Sequence, residues 1–288
     1  MMKRIGIDLG GSTVKGGVLE GDDILLTSTH RTRLANSREE ILDAVNATII
    51  DLLRVYPDIE RIGIVSAGDI DHVNGVCVYS SNLHGWTGTN IKGAIESRFH
   101  IETYVDNDAI GALLGEAHRY PNLKNITMLT FGTGVGGASL IDGVVSRETK
   151  TRWGERSIDK NGISLPFGEV GAAEAYLSTR AIQRYAFEEY RFSLKTLQIF
   201  ERIRRGERKA IAALGVYTKH LNDLLELIEK EISPELIILG GGLMNSKEVM
   251  EKGIRLEKGK YAFAHFGNEA GIVGASLLPI NDFYKEKE

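Results

Sequence analysis

Two glycine-rich segments of the 288-residue chain carry residue types that bind phosphate groups. Glycine accepts positive φ angles and lacks the Cβ that would keep the backbone away from a ligand. Hydroxyl side chains add donors, and a turn of exposed N–H groups is a site for anions. One such segment alone is typical of an ordinary hairpin turn, but a matched pair, one in each half of the chain, favours a nucleotide held by its phosphates from both sides. The candidate residues are Asp8, Gly10, Gly11, Ser12, Thr13 and Lys15 in the first segment and Gly132, Thr133 and Gly134 in the second.

Two aspartates at the ends of strand-like runs add carboxylates. Asp8 stands at the mouth of the first glycine segment, where a Mg²⁺ ion bound to phosphates would take an oxygen ligand, directly or through water. Asp108 follows Asn107 where a predicted strand meets a predicted helix, and from this dipeptide alone a helix cap is the more common role. A third glycine run, residues 240–242, would let a flat ring such as adenine lie against the backbone, or is only a turn.

These residues are positioned by alternating strands and helices. Apolar runs predict strands over residues 4–7, 61–65, 101–105, 126–130 and 236–239. Capping residues and helical spacing predict helices that begin at Ser37 and Asn90, and a further helix over residues 109–119. The alternation in both halves indicates α/β sheets covered by helices, in two domains packed around a cleft. Residues 147–167 are charged and irregular, which indicates a mobile loop or lid rather than a core element.

Composition and charge exclude several classes of protein. The net charge is −4 and the sequence pI is about 6.0, so no basic surface for nucleic acid is indicated. The single cysteine, Cys77, excludes an internal disulfide and a cysteine-rich metal site. No apolar stretch approaches the roughly 20 residues that span a bilayer, and the N-terminus lacks the apolar core of a signal peptide. We therefore expect a cytoplasmic protein that binds neither nucleic acid nor a membrane.

Taken in order, the motifs resemble those of the ROK family of sugar kinases over nearly the whole chain. The similar segments are residues 5–15, 82–86, 107–109, 132–137, 238–242 and 267–271. The resemblance implies an α/β fold of the two-lobed, actin-like ATPase (ribonuclease H-like) type, in which a duplicated mixed sheet is flanked by helices. It implies a small lobe over residues 1–118, joined by a C-terminal helix at 271–288, and a large lobe over 119–270. A homodimer or a higher homo-oligomer is expected from the same resemblance.

The resemblance also implies a role for each matching residue. Residues 8–15 and 132–137 correspond to the two phosphate segments of a site for ATP and Mg²⁺, and Gly240, Gly241 and Gly242 correspond to the adenosine contact. Asp108 corresponds to the general base that takes the proton from the attacking sugar hydroxyl, a role that can coexist with a position at a helix start. The residues implied in sugar binding are Gly68, Ser81, Asn82, Asn107, Asp108, Glu155 and Glu174.

One segment departs from the pattern of the many family members that bind a structural zinc ion through one histidine and three cysteines. Here Leu165, Phe167 and Ala172 stand at the cysteine positions, and no histidine lies between His118 and His220. The sequence therefore predicts no zinc.

The same departure affects the two glutamates implied in sugar binding. Glu174 matches its counterpart in register. Glu155 matches the other glutamate only if the loop is shortened, so it is equally well interpreted as a solvated loop charge. The histidine that binds a sugar hydroxyl in the family has no counterpart here, so the sequence does not identify the sugar.

The sequence predicts an ATP-dependent kinase that phosphorylates a sugar hydroxyl, most consistently that of a hexose, as glucokinases and hexokinases do. An aspartate base of ordinary pKa suffices, because phosphoryl transfer depends chiefly on positioning and charge stabilisation. Two alternatives stay open: a non-catalytic sugar-responsive regulator, and a kinase for an amino sugar, a glycoside or another polyol. The regulator is disfavoured because a sensor needs no base, and because a first strand at Arg4 predicts no N-terminal helix-turn-helix.

Overall fold

The computed structural model describes residues 2–32, 37–80, 83–166 and 168–279. Two of the predicted sugar contacts, Ser81 and Asn82, lie outside the described residues. The chain divides into two compact units, of which the first comprises Met1–Pro121 with Glu269–Glu288 and the second comprises Asn122–Asn268. Each unit has its own five-stranded sheet.

The sheet of the first unit combines hairpins with parallel strands. Its order is β3-β2-β1-β4-β8, in which β1, β4 and β8 run parallel while β2 and β3 are antiparallel to their neighbours. A small three-stranded sheet, β5-β6-β7, is inserted between β4 and β8 along the chain. The strands are β1 (Lys3–Leu9), β2 (Thr13–Glu20), β3 (Asp23–Arg31), β4 (Ile59–Ser66), β5 (Asp69–Asp71), β6 (Val76–Tyr79), β7 (Thr89–Asn90) and β8 (Thr103–Asn107).

Three helices accompany these strands: α1 (Arg38–Val55), α2 (Ile91–Phe99) and α3 (Asp108–Ala117). The predicted starts of the first two are confirmed, because the Ser37 hydroxyl accepts a hydrogen bond from the Glu40 N–H at 3.3 Å and Asn90 Oδ1 accepts one from the Gly93 N–H at 2.8 Å. The apolar face of α1 packs with β1 and β4 into one fully buried core, which explains the near-continuous apolar runs of these two strands.

The second unit repeats this plan. Its order is β11-β10-β9-β12-β13, again with a hairpin on one side and parallel strands on the other. The strands are β9 (Ile126–Phe131), β10 (Val135–Ile141), β11 (Val144–Val145), β12 (Leu236–Gly240) and β13 (Tyr261–Phe263). The helices are α4 (Glu174–Leu177), α5 (Thr179–Tyr190), α6 (Thr196–Arg204), α7 (Arg208–Ile232) and α8 (Lys247–Met250). The duplicated mixed sheet predicted from the resemblance is therefore confirmed.

The irregular segment 147–167 corrects one prediction. Trp153, in a short 3₁₀ turn (Trp153–Glu155), is fully buried, and its indole N–H donates to Ser139 Oγ at 3.0 Å. The interpretation of this stretch as a mobile loop outside the core is wrong for its middle part. The segment is rich in charged residues, so its composition does not reveal that Trp153 packs into the core.

The last helix, α9 (Ala270–Ser276), returns to the first unit. It is shorter than the predicted segment 271–288, of which residues 280–288 lie outside the described residues. Glycines let α9 approach its neighbours closely: a Cβ at Gly63 of β4 would stand 1.7 Å from the Ala275 carbonyl oxygen, and a Cβ at Gly274 would stand equally close to that of Gly111. Across the described ranges, no helix is long and apolar enough to cross a membrane.

Candidate active site

Three parallel strands of the first unit bring predicted site residues to one edge of the sheet. Asp8 of β1 pairs with Val65 of β4, and Ser66 of β4 pairs with Asn107 of β8. Because the carboxyl ends of parallel strands meet at the same edge, Asp8 and Asn107 lie at that edge together with Gly68, which follows β4. The structure thus assembles residues that are about a hundred positions apart in the sequence.

Asn107 and Asp108 have different tasks at the start of α3. The Asn107 Oδ1 accepts hydrogen bonds from the backbone N–H groups of Ala109 at 2.9 Å and Ile110 at 3.4 Å, so Asn107 is the helix cap. Its Nδ2 donates to the Gly68 carbonyl at 2.8 Å. The dipeptide alone had favoured Asp108 as the cap, and that prediction is wrong. The Asp108 Oδ1 accepts a hydrogen bond from the Ala109 N–H at 2.8 Å.

The Asp8 and Asp108 carboxylates repel each other. Burial, and secondarily the negative charge of Asp108, raises the pKa of Asp8 to about 6 against the opposing charge of Lys15. Burial also raises the pKa of Asp108, although the Ala109 N–H favours its charged form. Two partly buried carboxylates that disfavour each other's ionisation form a site that favours a cation.

This donor set fits Mg²⁺. The ion takes oxygen ligands and usually keeps several waters, binding through one or two carboxylates and substrate phosphates. Within the described ranges, no group of three or more acidic, histidine or cysteine side chains is placed to hold a metal ion. A Mg²⁺ ion here would therefore depend on Asp8, on water and on phosphate oxygens rather than on a protein cage.

Gly271 lies against Asp8, and the sequence pattern did not single it out as a site residue, although it lies in the similar segment 267–271. A Cβ at Gly271 would stand 2.8 Å from Asp8 Cγ. Only glycine lets the first turn of α9 approach this carboxylate so closely. The available signal was a glycine just inside a helix start, where alanine would serve the helix better.

In the second unit, the turn between β9 and β10 contains Gly132, Thr133 and Gly134. The Gly132 N–H donates to the Gly134 carbonyl at 2.9 Å, and the Gly132 carbonyl accepts from both the N–H and the hydroxyl of Thr179, each at 2.7 Å. Thr179, at the start of α5, was not foreseen from the sequence. These two hydrogen bonds to the Gly132 carbonyl link the turn to the start of α5.

The glycines of the second unit differ in what surrounds them. A Cβ at Gly132 or at Gly242 would meet nothing within 4 Å, so both border open space that a ligand could fill. At Gly240 a Cβ would stand 2.5 Å from Met128 Cε, and at Gly241 (φ +85°) it would stand 2.5 Å from backbone atoms of Phe131. The predicted adenosine segment is therefore open only at its last residue.

Glu174 lies directly against the second glycine turn. The Glu174 Oε2 accepts a hydrogen bond from the Val135 N–H at 3.0 Å, and a Cβ at Gly134 would stand 2.6 Å from the same oxygen. Burial raises the pKa of Glu174, and the negative charge of Glu155 adds to this, while the Val135 N–H and Arg180 oppose it. The two glutamates predicted for the sugar therefore lie within electrostatic reach of each other, with the side chain of Glu155 44% exposed.

Comparison with known proteins assigns the chain to a family. The sequence profile of the ROK family matches residues 4–281, so the chain belongs to the ROK family. The chain is 27% identical to the glucokinase of Thermotoga maritima over 302 residues, covering 96% of this chain and 93% of that protein. It is 24% identical to the N-acetylmannosamine kinase of Haemophilus influenzae, with coverage of 96% and 94%.

The fold has a close counterpart among solved structures. A ROK family glucokinase from Streptomyces griseus, crystallised in complex with glucose and AMPPNP, superimposes with a TM-score of 0.84 at 24% identity, covering 96% of this chain and 98% of that chain. With the strand orders described above, this confirms the predicted actin-like ATPase fold class.

Proposed function

We propose that the protein is an ATP-dependent sugar kinase that transfers the γ-phosphoryl group of ATP to a sugar hydroxyl, most closely a hexose kinase of the glucokinase type. The observation that carries this proposal is the placement of Asp108. Its carboxylate lies at the start of α3 beside Asp8, and it accepts a hydrogen bond from the Ala109 N–H at 2.8 Å, which favours the charged form that a proton acceptor requires. Its pKa is raised by burial, which suits a general base.

The first unit supplies the groups around the reacting atoms. Asp108 orients the attacking hydroxyl and accepts its proton, since in a loose phosphoryl-transfer transition state positioning matters more than base strength. Asn107 holds the Gly68 backbone in place, and that backbone contacts the sugar together with Ser81 and Asn82. Lys15 and the turn 10–13 contact the phosphates. Asp8 would hold a Mg²⁺ ion, directly or through water, and this ion would supply positive charge to the phosphates.

The second unit supplies the remaining contacts of the substrates. The N–H groups of Thr133 and Gly134 in the turn after β9 bind phosphate oxygens. Gly242, at the open end of the glycine run, accommodates adenosine. Glu174 and Glu155 accept hydrogen bonds from sugar hydroxyls. A carboxylate acceptor of raised pKa is readily satisfied by such donors, because each hydroxyl proton stabilises its charge.

The test is Asp108→Asn, measured in an ADP-release assay with glucose. The substitution keeps the shape of the side chain and removes its basicity, so kcat should fall by about 10²-fold or more while binding of a non-hydrolysable ATP analogue persists. Asp23→Asn, an exposed change in the same unit, serves as the control. An unchanged kcat in Asp108→Asn would remove Asp108 from the reaction.

A panel of acceptors separates the hexose kinase from the second candidate, a kinase for an amino sugar. That candidate is favoured by the similarity to N-acetylmannosamine kinase and by the segment 147–167, which departs from the family pattern. The proposal is supported if glucose is phosphorylated faster than N-acetylmannosamine, glycosides and polyols. Sugar binding without turnover of any acceptor would favour a regulator instead.

A further inference from the structure

We propose that Arg156 is a positioning residue for sugar binding, which holds the neighbouring Glu155 in place by clamping this part of the chain to α7. The inference rests on the proposed function, in which Glu155 and Glu174 contact the sugar. Arg156 itself points to α7 and the loop before α4, so it acts through its neighbours. The contacts below lie entirely within the second unit.

The guanidinium of Arg156 makes four hydrogen bonds to three different segments. Nη1 and Nη2 donate to the two carboxylate oxygens of Glu231, near the end of α7, at 2.7 and 2.6 Å. Nε donates to Glu169 Oε1 at 3.1 Å, and Nη1 also donates to the Lys150 carbonyl at 2.8 Å. A fork-to-fork pair of this kind fixes the orientation of both groups as well as their distance.

The backbone at this point links both glutamates of the proposed sugar site. The Glu155 carbonyl accepts from the Glu169 N–H at 2.8 Å. The Arg156 carbonyl accepts from the N–H of Ala173, the residue before Glu174, at 2.9 Å. The next residue, Ser157, is also bound to Glu169, because its N–H donates to Glu169 Oε2 at 2.8 Å. Displacement of the Arg156 peptide would therefore move Glu155 directly.

An exposed ion pair usually contributes little, but this pair is partly protected. The side chain of Arg156 is 17% exposed and that of Glu231 is 27% exposed. Hydrogen bonding between them raises the pKa of Arg156 and lowers that of Glu231, so both stay charged near neutral pH. The fully buried Trp153 precedes Glu155 by two residues along the chain, and the guanidinium carbon of Arg156 lies 5.9 Å from its ring centroid. Along the chain, Glu155 is thus flanked by a buried indole and by the residue that forms the ionic clamp.

The ion pair of Arg156 with Glu231 orders a segment that has no cysteine to hold a metal ion. The positions expected to carry cysteines hold Leu165, Phe167 and Ala172. Instead, the hydroxyl of Tyr176 accepts from the Ile163 N–H at 2.9 Å, and Ser157 pairs with Ala172 in an isolated β-bridge. The loop is ordered by hydrogen bonds and one ionic fork.

The experiment measures KM for glucose and KM for ATP in Arg156→Met, which keeps much of the aliphatic stem. Loss of the fork frees Glu155, so KM for glucose should rise about tenfold, equivalent to about 1.4 kcal/mol, while KM for ATP stays within about twofold. Arg156→Lys should not restore the wild-type value, because an ammonium group cannot form the fork. Glu231→Gln should give the same selective rise, and should keep the test decisive if Arg156→Met folds poorly.

Two comparisons separate positioning from general stability. Arg204→Met removes a more exposed ion pair with Glu248 (2.9 Å) elsewhere in the unit and should leave both KM values unchanged. In a Glu155→Gln background, Arg156→Met should raise KM for glucose by no more than about twofold, because residues acting through one another are not additive.

The outcomes separate a failure of the positioning role of Arg156 from a failure of the proposed function. If Glu155→Gln raises KM for glucose but Arg156→Met does not, the positioning role is wrong and the proposed function stands. If Glu155→Gln leaves KM for glucose unchanged, the role of Glu155 in the proposed function is overturned and the positioning role falls with it. If Arg156→Met raises both KM values equally, the residue is merely structural.

Discussion

The turn after β1 and the turn after β9 stand at the same place in two sheets of matching strand order, yet their surroundings differ. Beside the first turn, burial and, secondarily, the negative charge of Asp108 raise the pKa of Asp8 to about 6. At the second turn, the adjacent carboxylate is Glu174, which comes from a helix and accepts a hydrogen bond from the turn itself. Two hairpins of the same plan therefore differ in their surroundings: two carboxylates lie near each other beside the first turn, and a single carboxylate that accepts a backbone N–H lies beside the second.

The largest effect that tests this contrast is expected for Asp8→Asn. Loss of the carboxylate should lower kcat by about 10²-fold or more, since stabilisation of phosphate charge is a major term in phosphoryl transfer. Gln substituted for Glu174 in the second unit should instead act mainly on KM for the sugar. Steady-state kinetics with both substrates varied would check this, and equal kcat losses in the two variants would contradict the contrast.

The same Asp8→Asn variant should be more stable than the wild-type protein above pH 6. A carboxyl group whose pKa is raised by folding favours the folded state at low pH, and this contribution is lost as the pH rises from about 4 through about 6. Asparagine removes the cost of a buried charge, so the free energy of unfolding at pH 8 should rise by about 1–3 kcal/mol. Denaturant unfolding without Mg²⁺ would measure it, and the gain should shrink at pH 4.

The pH dependence of activity is the next largest effect. The profile of kcat/KM for ATP reports groups of the free enzyme, so its acid limb should lie near pH 6, where Asp8 takes up a proton, and fall about tenfold per pH unit below that. Glu174→Gln should leave this limb in place, because we propose that Glu174 contacts the sugar rather than ATP. An acid limb near pH 4, as for an ordinary aspartate, would contradict the burial of Asp8 as its cause.

The smallest effect is expected from two matched alanine substitutions in the second turn. A methyl group at Gly132 enters open space, so Gly132→Ala should raise KM for ATP several-fold, roughly a 1 kcal/mol effect, with little change in stability. A methyl group at Gly134 meets Glu174 Oε2, so Gly134→Ala should act on KM for the sugar. Neither glycine has a φ in the left-handed region, so backbone strain does not confuse the comparison. A rise in the same KM in both variants would refute this division of the turn.

Much of the fold was predictable because periodicity and capping are local. The predicted strand over residues 126–130 is β9 (Ile126–Phe131), and Asn90 caps α2 as predicted. The strand predicted at 101–105 begins two residues later, at Thr103, because an apolar run does not show which of its residues find a partner strand. The burial of Trp153 could not be predicted, because it depends on Ser139 of β10.

The sequence by itself determined which chemistry is available: two glycine turns, the carboxylates of Asp8 and Asp108, and a segment between His118 and His220 without cysteine or histidine. Only the tertiary structure decided how those groups are used. It made Asn107 rather than Asp108 the cap, raised the pKa of Asp8 by burial and by its neighbour, and tied Glu155 to α7 through Arg156. The physical reason is that charge, desolvation and hydrogen bonding depend on distances between residues far apart along the chain, and a linear pattern does not contain those distances.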